Sequence, residues 1–257
     1  MEKISIQKIL AVETSGKTFS VALSQVAKAK ISHSEKEIPS LLGEVFLEVG
    51  LRHSEILKES CRFLMEQCAL DKRDLTHCAV STGPGSFTGL RVGIAFARAF
   101  CQALELPLVG VPVFEVMARK VSALALEQQN LLCILIDSTG GKVHYGLFKI
   151  PGAHLLSPYR TSSIDDLCRR LRAFGRKTEV LFAGDGVQAH REEIGICMGK
   201  PPRVLPANQN FLSARELAFL AHEKVKKFKP GPNSWRKVVP LYLREPMAVE
   251  RLKLMKE

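Results

Sequence analysis

The same order of secondary-structure elements is predicted twice along this chain of 257 residues. Each half is predicted to contain three strands, a helix, a fourth strand and a second helix. In the first half these elements are Lys8–Thr14, Thr18–Leu23, Lys28–His33, 53–68, His77–Ser81 and Thr88–Leu104. In the second half they are Leu131–Ile136, Val143–Phe148, a strand near 154–160, Ile164–Phe174, Glu179–Ala183 and a helix after Gly186. Such a duplicated order predicts two similar α/β lobes.

The turns after the first strand of each half are also similar. Glu13-Thr14-Ser15-Gly16-Lys17 matches Asp137-Ser138-Thr139-Gly140-Gly141-Lys142, which has one extra glycine. Paired lobes of this kind occur in actin, Hsp70 and sugar kinases. The predicted fold class is therefore α/β, with two ribonuclease H-like lobes that each contain a mixed sheet and helices. The expected lobes are 1–106 and 107–257, and an amphipathic helix at Ser213–Val225 is expected to pack back on the first.

Composition excludes several classes of protein. Hydrophobic residues make up 46% and charged residues 25%, which is typical of a globular chain with a core that needs no disulfide or metal. No apolar run is long enough for a transmembrane helix, and Met1–Ser5 does not resemble a signal peptide, so we expect a cytoplasmic protein without membrane contact. The seven cysteines include no C-x-x-C pair and are expected to be reduced.

The net charge of +11 is unevenly distributed. Residues 1–106 contain 13 basic and 12 acidic groups, whereas residues 107–257 contain 24 and 14. The excess indicates either a polyanionic partner or a solvated basic face. The same two interpretations apply to the basic residues of 224–237, which surround Pro230-Gly231-Pro232 and lie near Trp235.

The glycine-rich segment 83–98, GPGSFTGLRVGIAFAR, carries the most information about function. It is not a P-loop, because Leu90 stands where G-x-x-x-x-G-K-[ST] requires lysine. It is not a dinucleotide-binding loop, because Thr88 replaces the third glycine of G-x-G-x-x-G. Nor is Ser86 in a G-x-S-x-G nucleophile motif, so Ser86 and Thr88 are expected to cap the following helix.

Small residues recur every four positions along that helix, at Gly89, Gly93, Ala97 and Cys101. Glycine within a helix costs about 0.5–1 kcal/mol relative to alanine, so two glycines on one face indicate the close approach of another backbone. That backbone belongs either to the same lobe or to a partner subunit, and the pattern alone leaves both open.

Residues 83–98 resemble the signature G-P-G-S-F-T-G-L-R-x-G-x-x-x-A-[K/R] of the bacterial TsaB (YeaZ) family. Three further segments are similar to that family: 9–15 to its opening strand, His53-Ser54-Glu55 to its first long helix, and Pro240-x-Tyr242-Leu243-Arg244 to its closing P-x-Y-L-R. The chain departs from the family at Ser138-Thr139, where Ala-Arg is usual.

The resemblance implies a role in making threonylcarbamoyladenosine at position 37 of tRNAs that read codons beginning with A. In that family TsaB is not the catalyst and needs no cofactor. It binds and stabilises its paralogue TsaD, the ATPase TsaE joins the pair, tRNA is met through the complex, and TsaB alone can form a homodimer. The resemblance also implies that two helices form the dimer interface, through His53, Leu57, Cys61, Leu64, Gly89, Leu90, Arg91, Gly93 and Ala97.

The sequence bears on two kinds of chemistry, metal binding and nucleotide binding. The catalytic paralogue binds metal through H-x-x-x-H after the strand that follows the glycine-rich helix, but Val113 and Met117 stand at those positions here, so no metal site is expected. A vestigial nucleotide cleft remains open as an interpretation of Glu13, Asp137, Gly184 and Gly186. The alternative function is therefore a stand-alone actin-fold enzyme that binds ATP, either an ATPase or a kinase-like protein.

Overall fold

The structure is a computed structural model that describes residues 6–31, 34–48, 50, 52–124, 131–138, 140–175 and 178–244. It divides into two compact units. The first unit is Met1–Lys120 with Phe211–Pro240, and the second is Val121–Asn210 with Leu241–Glu257. This division differs from the expected boundary after residue 106, because the next strand and most of the next helix belong to the first unit.

The first unit is built on a five-stranded mixed sheet. The strands are β1 (Lys8–Glu13), β2 (Thr18–Ile31), β3 (Ser34–Glu48), β4 (His77–Gly83) and β5 (Leu108–Pro112). Their order in the sheet is β3-β2-β1-β4-β5. β1 pairs antiparallel with β2 and parallel with β4, β2 pairs antiparallel with β3, and β4 pairs parallel with β5. The helices are α1 (His53–Gln67), α2 (Phe87–Leu104), α3 (Val113–Ala123) and α7 (Ala214–Phe228), with 3-10 turns at Lys72–Asp74 and Ser234–Lys237.

The third predicted strand of this half was wrong in position. Residues 28–31 continue β2, and the third strand is the edge strand β3 at Ser34–Glu48, while His33 lies outside the described residues. Pro39 and Gly43 obscure β3 in the sequence, since both residues are uncommon inside strands. An edge strand tolerates proline. A Cβ at Gly43 would lie 2.8 Å from Cδ1 of Leu64, so the Leu64 side chain would have to shift to accommodate a larger residue there.

Helices cover both faces of the first sheet. On one face, α1 and α2 contribute Leu57, Leu64 and Ile94 to a core that includes Phe19 and Val21 of β2. On the other face, α7 packs across all five strands. The helix expected at Ser213–Val225 is therefore part of the first unit in the structure, although it is separated in sequence from the rest of that unit by residues 121–210.

The second unit repeats this plan with shorter elements. Its mixed sheet has the order β11-β10-β6-β7-β8, and β9 also pairs with β7. The strands are β6 (Leu131–Ser138), β7 (Lys142–Lys149), β8 (His154–Leu155), β9 (Arg160–Ser162), β10 (Val180–Ala183) and β11 (Arg203–Val204). The helices are α4 (Ile164–Arg172), α5 (Gly186–Ala189) and α6 (Arg191–Met198). Two mixed sheets with helices confirm the predicted fold class.

Further expectations about the chain can be compared with the structure. All seven cysteines are free thiols, and five of them are buried. Ser86 is the N-cap of α2, where its hydroxyl accepts a hydrogen bond from the amide of Gly89 at 3.2 Å, whereas Thr88 lies exposed in the first turn. Within the described ranges, no helix has both the length and the apolar character needed to cross a membrane.

Candidate functional site

Glu13, the acid at the end of β1, is fully buried in the first unit. One carboxylate oxygen, Oε1, accepts hydrogen bonds from the amide of Ser15, at 2.7 Å, and from its hydroxyl. The other oxygen, Oε2, has no hydrogen-bond partner among the described residues. Burial raises the pKa of Glu13, and the hydrogen bonds from Ser15 only partly oppose that rise. A carboxyl group in this position has no exposed face with which to bind a cation.

The turn after Glu13 is covered by the start of α2 and by α1. The amide of Ser86 donates to the carbonyl of Ser15 at 2.7 Å, and the hydroxyl of Thr14 donates to the carbonyl of Gly89 at 2.8 Å. From α1, Nε2 of His53 donates to the carbonyl of Gly16 at 3.0 Å. Two carbonyl groups and one hydroxyl group of this turn are therefore held by α1 and by the start of α2.

The small-residue face of α2 lies against the same turn. A Cβ at Gly89 would lie 2.1 Å from the carbonyl oxygen of Thr14, and a Cβ at Gly93 would lie 2.2 Å from the Thr14 hydroxyl. Ala97 is also fully buried. Of the two readings that the spacing left open, the structure therefore favours packing within the unit.

The burial of the expected partner-contacting residues is uneven. Eight of the nine are buried within the first unit, and only one is exposed. The buried residues are His53, Leu57, Cys61, Leu64, Gly89, Leu90, Gly93 and Ala97, and the exposed one is Arg91. Side chains buried in their own chain offer little surface to a partner, so we expect a partner surface on α1 and α2 to consist mainly of their outward side chains. Of the eight buried residues, Cys61 also lines the groove between the two helices.

The outward side of α2 carries a second stripe of small residues, which the sequence analysis missed. Ala95, Ala99 and Ala103 recur every four positions and are exposed. We call them the outer alanine stripe. The spacing of four residues between these alanines is visible in the sequence, but it is less distinctive than the spacing of Gly89 and Gly93 on the opposite side of the same helix.

A groove of about 660 Å³ lies between α1 and α2 on this outward side. Its walls include apolar groups from both helices, among them Met65, Phe96, Ala99 and Phe100. The rings of Phe96 and Phe100 stack with their centroids 5.8 Å apart. Charged residues of α1 and the turn that follows it also line the groove: Lys58, Arg62, Glu66, Asp71 and Lys72. This α1–α2 groove has the composition of a protein-binding surface, an apolar centre with charged surroundings.

The second unit holds the other three residues of the predicted nucleotide cleft. Gly184 has φ +97°, and a Cβ there would lie 2.0 Å from the carbonyl oxygen of Leu135, so the position requires glycine. Gly186 lies close to the backbone of the same strand, including the amide of Asp137. The Asp137 carboxylate lies 3.4 Å from Nε2 of His190. Packing against β6 thus accounts for both glycines.

The positions expected to correspond to the metal ligands of the paralogue also have a structural role. Val113 and Met117 begin α3 directly after β5, and both are buried. Neither side chain offers the nitrogen or carboxylate oxygen that a catalytic metal centre needs. Across the described residues, no group of three or more histidine, cysteine, aspartate or glutamate side chains is arranged to hold a metal ion.

The known proteins that are similar to this chain in sequence are named for the threonylcarbamoyl modification of tRNA. The family model described as "TsaD: tRNA N6-adenosine threonylcarbamoyltransferase" matches residues 28–248. The tRNA threonylcarbamoyladenosine biosynthesis protein TsaB of Bacillus subtilis is 27% identical, over 84% of this chain and 87% of that protein. The TsaB of Buchnera aphidicola is 25% identical, over 72% of this chain and 81% of that protein.

A transferase and a solved structure complete the comparison. The tRNA N6-adenosine threonylcarbamoyltransferase of Streptococcus uberis is 30% identical over 62% of this chain but only 48% of its own length. The structure of YeaZ from Pseudomonas aeruginosa superposes with a TM-score of 0.71 at 20% identity, over 92% of this chain and all of the other, which establishes the likeness of fold. The chain belongs to the TsaD family, and within it to the TsaB (YeaZ) branch.

Proposed function

We propose that this protein is a non-catalytic subunit of the machinery that transfers a threonylcarbamoyl group to tRNA, and that it binds and stabilises a TsaD-type transferase. Relatives named as tRNA threonylcarbamoyladenosine biosynthesis proteins support the pathway, and the match to transferases of the same family supports a TsaD-type partner. An ATPase of the TsaE type would join the pair, tRNA would be met through the complex, and the isolated chain would pair with a second copy.

Support for a non-catalytic role comes from the residues at the positions where the transferase has its metal ligands. Val113 and Met117 cannot coordinate a metal, and both side chains already fill the core. Glu13, the acid that a magnesium nucleotide would need in the first unit, is buried beneath its own turn. These features support the interpretation that the chain shares the fold of the transferase but that the residues at its strand ends serve packing rather than catalysis.

The α1–α2 groove is the observation that carries the partner-binding proposal. Exposed alanines allow the backbone of a second helix to come close, and the aromatic side chains beside them supply apolar area. A partner with one or two apolar helices fits such a surface. Because the inner face of α2 is buried in the first unit, partner binding and folding depend on different sides of one helix.

Ala99→Arg tests this proposal. The variant places a charged side chain in the groove at an exposed position, so the fold is expected to be retained while binding of a TsaD-type transferase weakens at least roughly tenfold. Ala123→Arg, at an exposed position at the end of α3, is the matched control. Affinity is measured by titration calorimetry, and folding by thermal unfolding. Wild-type affinity in the folded Ala99→Arg variant contradicts the proposed face.

The competing function is a stand-alone ATP-binding enzyme, and it makes a different prediction. Titration of the isolated protein with ATP and Mg²⁺, followed by a phosphate-release assay, separates the two functions. A scaffold shows no turnover by itself and raises threonylcarbamoylation of tRNA when the transferase is added. Sub-micromolar ATP binding with turnover by the isolated chain overturns the non-catalytic assignment.

A further inference from the structure

A group of basic side chains, none of which lines the α1–α2 groove, lies in the first unit at the end of α7 and in the turn that follows. Residues 224–240 contain six lysines and arginines and no acidic residue. Two of the six are in ion pairs: Lys224 lies 2.7 Å from Glu115, and Lys226 lies 3.3 Å from Glu37. The other four are exposed, and we call them the basic surface: Lys227, Lys229, Arg236 and Lys237. None of these four pairs with a carboxylate within the part of the chain that the structure describes.

The basic surface is held on a fixed part of the fold. The hydroxyl of Ser234 accepts a hydrogen bond from the amide of Leu108 at 2.8 Å and lies 3.1 Å from the carbonyl of the same residue. Val238, directly after the 3-10 turn, is buried against the core of the first unit. Arg236 and Lys237 therefore extend from a turn whose backbone is anchored to the first unit on both sides, so only their side chains need to be ordered when they bind a ligand.

Helix stabilisation accounts for only part of this charge. Lysines in the last turn of a helix interact favourably with the negative end of its dipole, which explains Lys226 and Lys227. That effect fades beyond the last turn, so it does not explain Arg236 and Lys237. Four exposed cations without an acidic partner in one stretch give this surface a positive potential that attracts anionic ligands.

Two aromatic rings lie among these cations. The Arg98 and Arg236 guanidinium groups lie 5.9 Å and 5.2 Å from the centroid of the Trp235 ring, and Lys227 lies 5.2 Å from that of Phe228. Phe228 is 64% exposed, more than Phe63 at 52% or Phe87 at 46%, so its ring is open to a ligand. Cations that neutralise phosphates, next to a ring on which a base can stack, match the chemistry of single-stranded or loop RNA.

We propose that Lys227, Lys229, Arg236 and Lys237, with Phe228, form a surface that binds the sugar–phosphate backbone of RNA. This inference rests on the proposed function to the extent that tRNA is the RNA expected nearby. It goes beyond that function because it assigns direct RNA contact to this chain rather than only to its partner. An anionic lipid surface would attract the same charges and could take up an exposed aromatic ring. The relatives named for tRNA threonylcarbamoyladenosine biosynthesis favour RNA, and lipid binding is one outcome of the test.

The test is the binding of an unmodified tRNA transcript to the full chain, measured by fluorescence anisotropy at low and moderate salt. Changing all four basic residues to glutamine is expected to weaken binding roughly tenfold or more and to reduce the slope of log K against log salt by about 2–3. The matched control removes four exposed positive charges from the second unit: Lys142→Gln, Lys149→Gln, Arg160→Gln and Arg191→Gln. Phe228→Ala tests the stacking contribution and is expected to weaken binding about fivefold or more.

Three outcomes overturn the inference. They are an equal loss in both quadruple variants, no tRNA binding by the wild type at low salt, and residue-specific binding to phosphatidylglycerol vesicles without binding to tRNA. Co-purification with the transferase is measured on the same proteins, because both variants leave the α1–α2 groove intact. If the wild type fails to co-purify but the tRNA result holds, the proposed function fails and the RNA surface stands. If the wild type co-purifies with the transferase but the expected tRNA result is not obtained, the proposed function stands and the RNA surface fails.

Discussion

Gly93→Ala is expected to destabilise the first unit, although alanine is the better helix former. In an unobstructed helix the change would stabilise the protein by about 0.5–1 kcal/mol. Here the new Cβ would lie 2.2 Å from the Thr14 hydroxyl, and overpacking of a filled core costs about 1–3 kcal/mol. Rotating the hydroxyl away also breaks its 2.8 Å hydrogen bond to the carbonyl of Gly89, at a cost of about 1 kcal/mol. The expected net loss is therefore about 1–3 kcal/mol.

Urea unfolding followed by tryptophan fluorescence measures this loss. The chain has one tryptophan, Trp235, and it packs against the core of the first unit, so its emission reports that unit. Gly16→Ala is the control, because a Cβ there would meet no atom closer than 3.9 Å. The control is expected to change the free energy of unfolding by less than about 1 kcal/mol.

A second substitution, Thr14→Ala, tests whether the Thr14 hydroxyl is the group that excludes a side chain at position 93. Thr14→Ala removes the hydroxyl that Gly93→Ala would strike, so the double variant is expected to be more stable than the two single losses predict. The coupling energy is expected to be about 1–2 kcal/mol. Additive losses, or a Gly93→Ala variant as stable as Gly16→Ala, would refute the argument that Thr14 fixes the glycine at this position.

Two further predictions concern buried titratable groups. Burial lowers the pKa of His222, which contacts Gln7 and Ser24, from 6.5 to about 4, so the unfolded state takes up a proton first as the pH falls. This difference should lower the free energy of unfolding by about 3 kcal/mol between pH 7 and pH 4. The loss should be correspondingly smaller in His222→Gln, as measured by urea titrations across that range. A His222→Gln variant with the same pH dependence as the wild type contradicts the prediction. Burial raises the pKa of Glu13, so its contribution to stability declines as the pH rises above its ordinary value of 4.5. Glu13→Gln, which keeps an acceptor for Ser15, should be at least as stable as the wild type at pH 8, and a marked loss there shows that the charged form is favoured.

Much of the fold could be predicted from the sequence because its buried strands are strongly patterned. β1, β4, β6 and β7 were found within two or three residues, since runs such as 131–136 are apolar throughout. The edge strand β3 was not found, because its pairing with β2 outweighs the poor strand propensity of Pro39 and Gly43. The short strand β11, with only two residues, carries no pattern to detect.

The candidate site was harder to predict than the fold. The spacing of Gly89 and Gly93 correctly indicated the close approach of another segment, through its backbone at Gly89 and its side chain at Gly93. Spacing cannot show whether that segment belongs to the same chain. The answer depended on Thr14, which lies 75 residues away from Gly89 in sequence. Exposed alanines such as Ala99 give a weak signal, because alanine is common on any helix.

Helix α2 therefore has two sides whose substitutions should give different phenotypes. In a scan of every position for cellular abundance and for capture by the transferase, changes at positions 89, 93 and 97 should lower both quantities together, since unfolded chains are degraded. Changes at 95, 99 and 103 should leave abundance unaffected and reduce capture alone. Two such classes of variant, alternating along eighteen residues, would identify by genetics alone which side of the helix faces the partner.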